Sequence, residues 1–247
     1  MEQLRDMYFD YVVNATYRKI ESEINPNSIP DLVEAVFLNK FINTAKTASF
    51  HKIYLSQAGK IHNSMQEGFI NKFAKAYSLT RGIKAELRAQ MESQKYTIVN
   101  LIEKSPFEAY TNFFMHAKFN DEDKERNLAS FFTKLAHTVN PNEYYCLDSY
   151  VRVYFKLHRE GFFYSYCIIG AAYKKWIADN KPLLRKLRHA ISSADKSNAL
   201  KISELTDLKL LDMIFWAKGD TLKKEENDRK PNKSKRQPRL QHDTKAI

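Results

Sequence analysis

The chain has 247 residues, enough to bury a sizeable core, and its 43% hydrophobic share is that of a globular protein. Six glycines and seven prolines disfavour a turn-rich all-β fold, while two cysteines, Cys146 and Cys167, exclude a disulfide framework and a four-cysteine zinc or iron–sulfur site. Of the formal net charge of +11, residues 221–247 supply +5, so the body is basic in its own right, as expected of a protein that meets nucleic acid.

Helical spacing recurs along nearly the whole chain. Met7, Tyr11, Tyr17, Ile20 and Ile24 mark an opening helix that "NPNSIP" stops, because a residue before proline is pushed out of the helical region. "DLVEAVFLNKFI" reads as a second helix with Asp31 as its N-cap. Further helices are expected at about 52–66, 68–78 and 83–103. "SPFEAYTNFFMHAKF" reads as another, with Ser105 before it and Pro106 in its first turn. A charged loop, "NDEDKERN", leads to a helix around Lys134, the turn "NPNEYY", and a helix beginning at Asp148. Apolar helices follow at about 162–178, 181–191 and 203–217. After Gly219 the apolar residues give out, which reads as the start of a disordered basic tail.

The fold class expected is all-α. Two helical lobes, residues 1–105 and 106–220, are followed by the tail over 221–247. The N-terminus "MEQLRDMYFDYVV" is polar and does not read as a signal peptide. The most apolar run, "GFFYSYCIIGAAY", is too short to span a bilayer. A cytoplasmic protein with no membrane partner is expected. His51, His62, His116, His137 and His189 are scattered without ligand spacing, so no metal and no cofactor is assigned.

One stretch carries more chemistry than the rest: "SFFTKLAHTVNPNEYYCLDSYV", Ser130 to Val151. Taken singly, Asp148 is an ordinary helix N-cap and Lys134 an ordinary snorkelling lysine. Together they place a lysine within one helix, then a proline turn, then an aspartate at the next helix start. This stretch resembles the helix-hairpin-helix DNA glycosylase superfamily, especially relatives of 8-oxoguanine DNA glycosylase. In those relatives an "S-K-x-x-H" helix leads through "N-P" into an aromatic-rich "x-x-D-S-x-V" segment. "LKLLDMIFWAKG", Leu208 to Gly219, is similar to the closing helix of such proteins through Asp212, Trp216 and Gly219. The matched pieces cover roughly a third of the chain. The family's Gly-rich hairpin turn has no counterpart in "FNDEDKERNLAS", and Tyr150 stands where many members carry histidine.

The resemblance implies a monomeric enzyme acting on double-stranded DNA that holds a damaged or modified base, in repair or in defence against modified viral DNA. Such an enzyme turns the base out of the duplex and cleaves its N-glycosidic bond. Cleavage builds positive charge on the sugar, so Asp148 is expected to stabilise that charge or activate water. Lys134, if partly buried, is expected to attack the sugar carbon and form a Schiff base. Phe131, Phe132, Tyr150 and Trp216 are the aromatics available to stack on the base, and Arg152 is a further DNA contact.

Two other readings compete. "RVYFKLH" puts Arg152 six residues before His158 and resembles the signature of HEPN ribonucleases, in which an arginine and a histidine on one helix handle a phosphate and a proton. The basic body and tail also suit a helical nucleic-acid-binding protein without catalysis.

Overall fold

A computed structural model of the chain describes residues 2–61, 65–79, 83, 85–105 and 125–229. The expected helix over 106–119 and most of the charged loop after it lie outside these residues. Everything regular in the described part is helical.

Helix α1 (Glu2–Glu23) ends where the Asn25 side chain accepts the backbone N–H groups of Asn27 and Ser28, while Ser28 answers with its own hydroxyl in a capping box. That cap opens a 3₁₀ turn (Pro26–Ser28), which runs into α2 (Ile29–Leu32) and a π-helix, π1 (Val33–Ile42). The second helical segment is therefore capped at Asn25, and Asp31 sits in the first turn of α2 instead of at its cap. Next come α3 (Ala45–Gln57), α4 (Phe69–Ala76), α5 (Ala85–Ser93) and α6 (Lys95–Lys104). Gly68, with φ +73°, begins α4 in a conformation that a side chain strains. The span expected as one helix over 83–103 is broken in two at Gln94.

Helix α7 (Glu125–Val139) carries Lys134 and stops before Pro141. The short α8 (Ser149–Tyr154) starts at Asp148, as expected. It is followed by α9 (Phe162–Asp179), α10 (Lys181–Ala194), a 3₁₀ turn (Ile202–Glu204) and α11 (Asp207–Asp228). Helix α11 continues through the point where the basic tail was expected to begin. Leu222 still packs against the core, and Lys224 reaches back one turn to Asp220 at 2.8 Å. The remainder of the tail, 230–247, lies outside the described residues.

Two apolar clusters make the core of the described residues. The larger one takes residues from both ends, among them Ile20, Phe37, Val151, Trp176, Leu187 and Phe215. The smaller takes the middle of the chain, including Phe73, Ile98, Phe131 and Leu135. Within the larger cluster α1 lies along α9, and α8 lies along α11. The second contact is so close that a Cβ on Gly219 would collide with the carbonyl of Tyr150. Among the described residues no helix is long and apolar enough to cross a membrane.

Candidate functional site

Where the two clusters meet, a cavity of about 640 Å³ opens. Its walls come from both: Phe41, Tyr54 and Met213 of the larger cluster, and Tyr77 and the α7 residue Lys134 beside the smaller. A volume of this order is that of a pocket for a small organic group.

Local structure brings Lys134 and Asp148 into this cavity together. Proline 141 ends α7, and the turn closes with the N–H groups of Glu143 and Tyr144 both on the Asn140 carbonyl. His137, fully buried, bonds through Nδ1 to the carbonyl of Tyr144 and ties the turn to the helix that precedes it. Burial, helped by the Lys209 charge, pushes the His137 imidazole down to about 3, so it is a neutral structural donor. One residue before Lys134, the buried Thr133 hydroxyl donates to the Leu147 carbonyl and accepts from the Leu147 N–H, each at 3.2 Å. That clasp sets the start of α8 against α7.

Asp148 then caps α8. Its Oδ1 accepts from Tyr150 N at 2.8 Å and from Val151 N at 3.3 Å. Both the cap and the cavity position hold at once. The carboxyl is held above the usual carboxylate range, chiefly by burial; the Lys134 charge pulls it back, Asp212 pushes it further up, and the two capping N–H groups lower it. Lys134 is partly buried and donates to Ser130 Oγ at 2.7 Å.

A second charged pair lines the same cavity. Lys209 and Asp212, three residues apart on α11, meet at 2.8 Å with little exposure of either side chain. Burial works against the Lys209 charge, but Asp212 outweighs it and holds the ammonium well above its ordinary value. The Lys209 ammonium also lies 4.8 Å from the centroid of the Tyr54 ring, which stacks on His137 at 5.1 Å. Cys146, on the same wall, has its thiol pushed up to about 12 by burial and by Asp212, which removes it as a nucleophile at neutral pH. At the rim, Lys40 and Lys224 both bond to Asp220, each at 2.8 Å.

Of the aromatics expected at the site, two are there. Tyr150 and Trp216 line the cavity, half-buried and edge to face at 5.6 Å, with the Lys223 ammonium 4.5 Å from the Tyr150 ring. Phe131 and Phe132 are not: both are fully buried in the smaller cluster, Phe131 edge to face with Phe73 at 5.4 Å. Phe132 lies about 200° round α7 from Lys134, and Phe131, though on a neighbouring face, is packed against Phe73, so burial leaves neither ring open to a ligand.

Arg152 does not line the cavity either. Its guanidinium bonds the carbonyls of Leu157, His158 and Glu160 and the Ser165 hydroxyl, and it lies 5.2 Å from the Phe162 ring centroid. It therefore closes the loop that follows α8. Helix α8 ends at Tyr154 and Lys156 takes a left-handed φ of +59°, so the exposed His158 is not on the Arg152 helix. The arginine–histidine arrangement of a HEPN nuclease is absent from this helix.

Sequence reasoning missed three groups: Thr133, the clasp; Lys209, the buried cation; and Tyr54, the ring beneath it. The one available signal was "LKLLDM", a lysine and an aspartate at helical spacing inside an otherwise apolar run. Among the described residues no cluster of three or more His, Cys, Asp or Glu side chains is placed to hold a metal. Comparison with protein families, curated proteins and solved structures finds no match to the chain.

Proposed function

We propose that the protein is a DNA glycosylase that takes a damaged or modified base into this cavity and cleaves its N-glycosidic bond. The observation that carries the reading is that Lys134 and Asp148, on separate elements, line one cavity alongside the accessible rings of Tyr150 and Trp216. A lysine nucleophile and a carboxylate can then address a common sugar while an aromatic edge receives the base.

In this reading the base departs with the glycosidic electron pair and positive charge grows on the sugar ring. The Asp148 carboxylate faces that charge. Its capping bonds fall on Oδ1, which fixes its direction and leaves Oδ2 for the sugar or for a water. Lys134, once its proton has passed to a base such as Asp148, attacks the sugar carbon and gives a Schiff base that opens the ring; alternatively, Asp148 activates water and no covalent adduct forms. Cation at Lys209 and anion at Asp212 hold opposite poles against the entering base, so they suit a heterocycle with both donors and acceptors.

The test is release of bases. The protein is incubated with genomic DNA and with phage DNA rich in modified bases, and the supernatant is read by mass spectrometry. A released base that disappears with Asp148→Asn supports the reading. Duplex binding without release from any DNA would leave a helical nucleic-acid-binding protein.

A further inference from the structure

Helix α10, Lys181–Ala194, buries Leu184, Leu187 and Ile191 and turns Lys181, Arg185, Lys186 and His189 to solvent. Positions 181, 185 and 189 fall on one line along the helix, with Lys186 beside it, over about 12 Å at 1.5 Å per residue. The helix contains no acid. Its flanking acids are engaged elsewhere: Asp179 accepts the Tyr17 hydroxyl at 3.1 Å, and Asp195 holds the N–H groups of Ala199 and Leu200.

Local stability does not account for the stripe. A lysine and an arginine near a helix N-terminus oppose the macrodipole, and nothing at i+3 or i+4 compensates them. Many other cations of the described chain have acid partners: Lys174 with Glu143, Lys201 with Glu204, Lys218 with Glu23, Lys224 with Asp220. On α10 the one cation so paired is Arg188, half-buried and bonded to Asp207 and to the carbonyls of Ile202 and Leu205. Helix α10 itself packs on π1, whose Asn39, Lys40 and Phe41 form part of the cavity wall.

We propose that Lys181, Arg185 and Lys186 bind the phosphate backbone of the duplex from which the cavity takes its base. The occupant follows from the function proposed above; the surface follows from the unpaired charge. The three cations span about 7.5 Å of helix axis, which matches two to three phosphates of one strand.

The test compares the wild type with the triple variant Lys181→Ala/Arg185→Ala/Lys186→Ala. Duplex binding is followed by fluorescence anisotropy across a salt series, and base release is measured at saturating duplex. The side chains are exposed and alanine favours helix, so the variant keeps its fold, checked by circular dichroism. The plot of log Kobs against log salt becomes shallower by roughly two to three, and low-salt affinity falls at least about tenfold. Base release at saturation stays at the wild-type rate. A wild-type salt slope in the variant overturns the stripe, whether or not bases are released. A shallower slope with no base released from any DNA keeps the stripe and removes the glycosylase reading. Wild-type protein that ignores duplex but binds polyglutamate through these three residues would make the partner an acidic protein, and the proposal falls.

Discussion

Thr133 and Leu147 exchange a pair of 3.2 Å hydrogen bonds through one hydroxyl, and their chain neighbours are Lys134 and Asp148. The clasp is a positioning device: it carries no charge, yet it sets the distance between two groups that do. Thr133→Val keeps the shape and removes both bonds, stranding a buried N–H and carbonyl at a cost of about 1–3 kcal/mol. The expected outcome is a lower melting temperature. Base release at saturating duplex should also fall at least about tenfold, because small misplacements are costly to a reacting pair. Duplex affinity should not change, and Thr133→Ser should restore release. A valine variant that releases bases at the wild-type rate would show that the clasp serves the fold alone.

Asp148→Asn separates the two jobs of one carboxyl. Asparagine caps a helix as well as aspartate does, so α8 survives. Base release should fall by at least about two orders of magnitude, because the amide lacks the charge that the proposed reaction sets against the sugar. Stability should move the other way. The folded-state pKa of Asp148 is raised, so the folded protein holds that proton more tightly than the unfolded chain. This contribution is fully present below the unfolded value of about 3.9 and is lost as pH rises through the folded one. Above that folded value the wild type carries an ionised carboxylate in a site that disfavours it, and the variant does not. Calorimetry should find the variant the more thermostable at pH 7, with the gap closing toward pH 4. A variant less stable at pH 7 would contradict the raised pKa.

Lys134→Ala reports the mechanism. If Lys134 is the nucleophile, the wild type is trapped on substrate DNA by borohydride and nicks the strand, and the variant does neither. If it only orients the sugar, trapping is absent from both proteins and release falls modestly. The fold should hold in either case, since the side chain is partly exposed and its one bond runs to Ser130 at 2.7 Å within the same helix. Borohydride trapping that survives in the variant would move the nucleophile to another of the lysines that line the cavity, Lys40, Lys209 or Lys224.

Much of the fold was legible because apolar spacing reports helices directly: α1, α9 and the first part of α11 fall where the periodicity put them. The cap at Asp148 was legible for the same local reason. What sequence could not give was which side of a helix faces what. Phe131, Phe132 and Lys134 are near neighbours in sequence, yet the first two fill a core while the third lines a cavity. Lys209 and Asp212 look like a surface pair by spacing; only tertiary packing buries them. Asp31 resembled a cap, but Asn25 lies before the proline turn and takes the orphan N–H groups first. Where α11 stops was hidden because a loss of apolar residues removes the packing signal without ending the helix.

That last difference bears on what the C-terminal residues do, and two truncations separate the possibilities. Ending the chain at Asp220 strips Leu222 from the larger cluster, Lys223 from the Tyr150 ring and Lys224 from Asp220 at the cavity rim. Lys40 remains on Asp220, but it is then alone in offsetting a carboxyl that burial would raise and that the two lysines now hold low. The expected result is a clear loss of melting temperature and of base release. Ending the chain at Arg229 removes lysines and arginines without touching any of these contacts. Melting temperature and base release at saturation should then match the full chain, while duplex affinity at low salt drops and converges with the full chain's as salt rises. Equal melting temperatures for the two truncations would mean that the last two turns of α11 contribute nothing to the core.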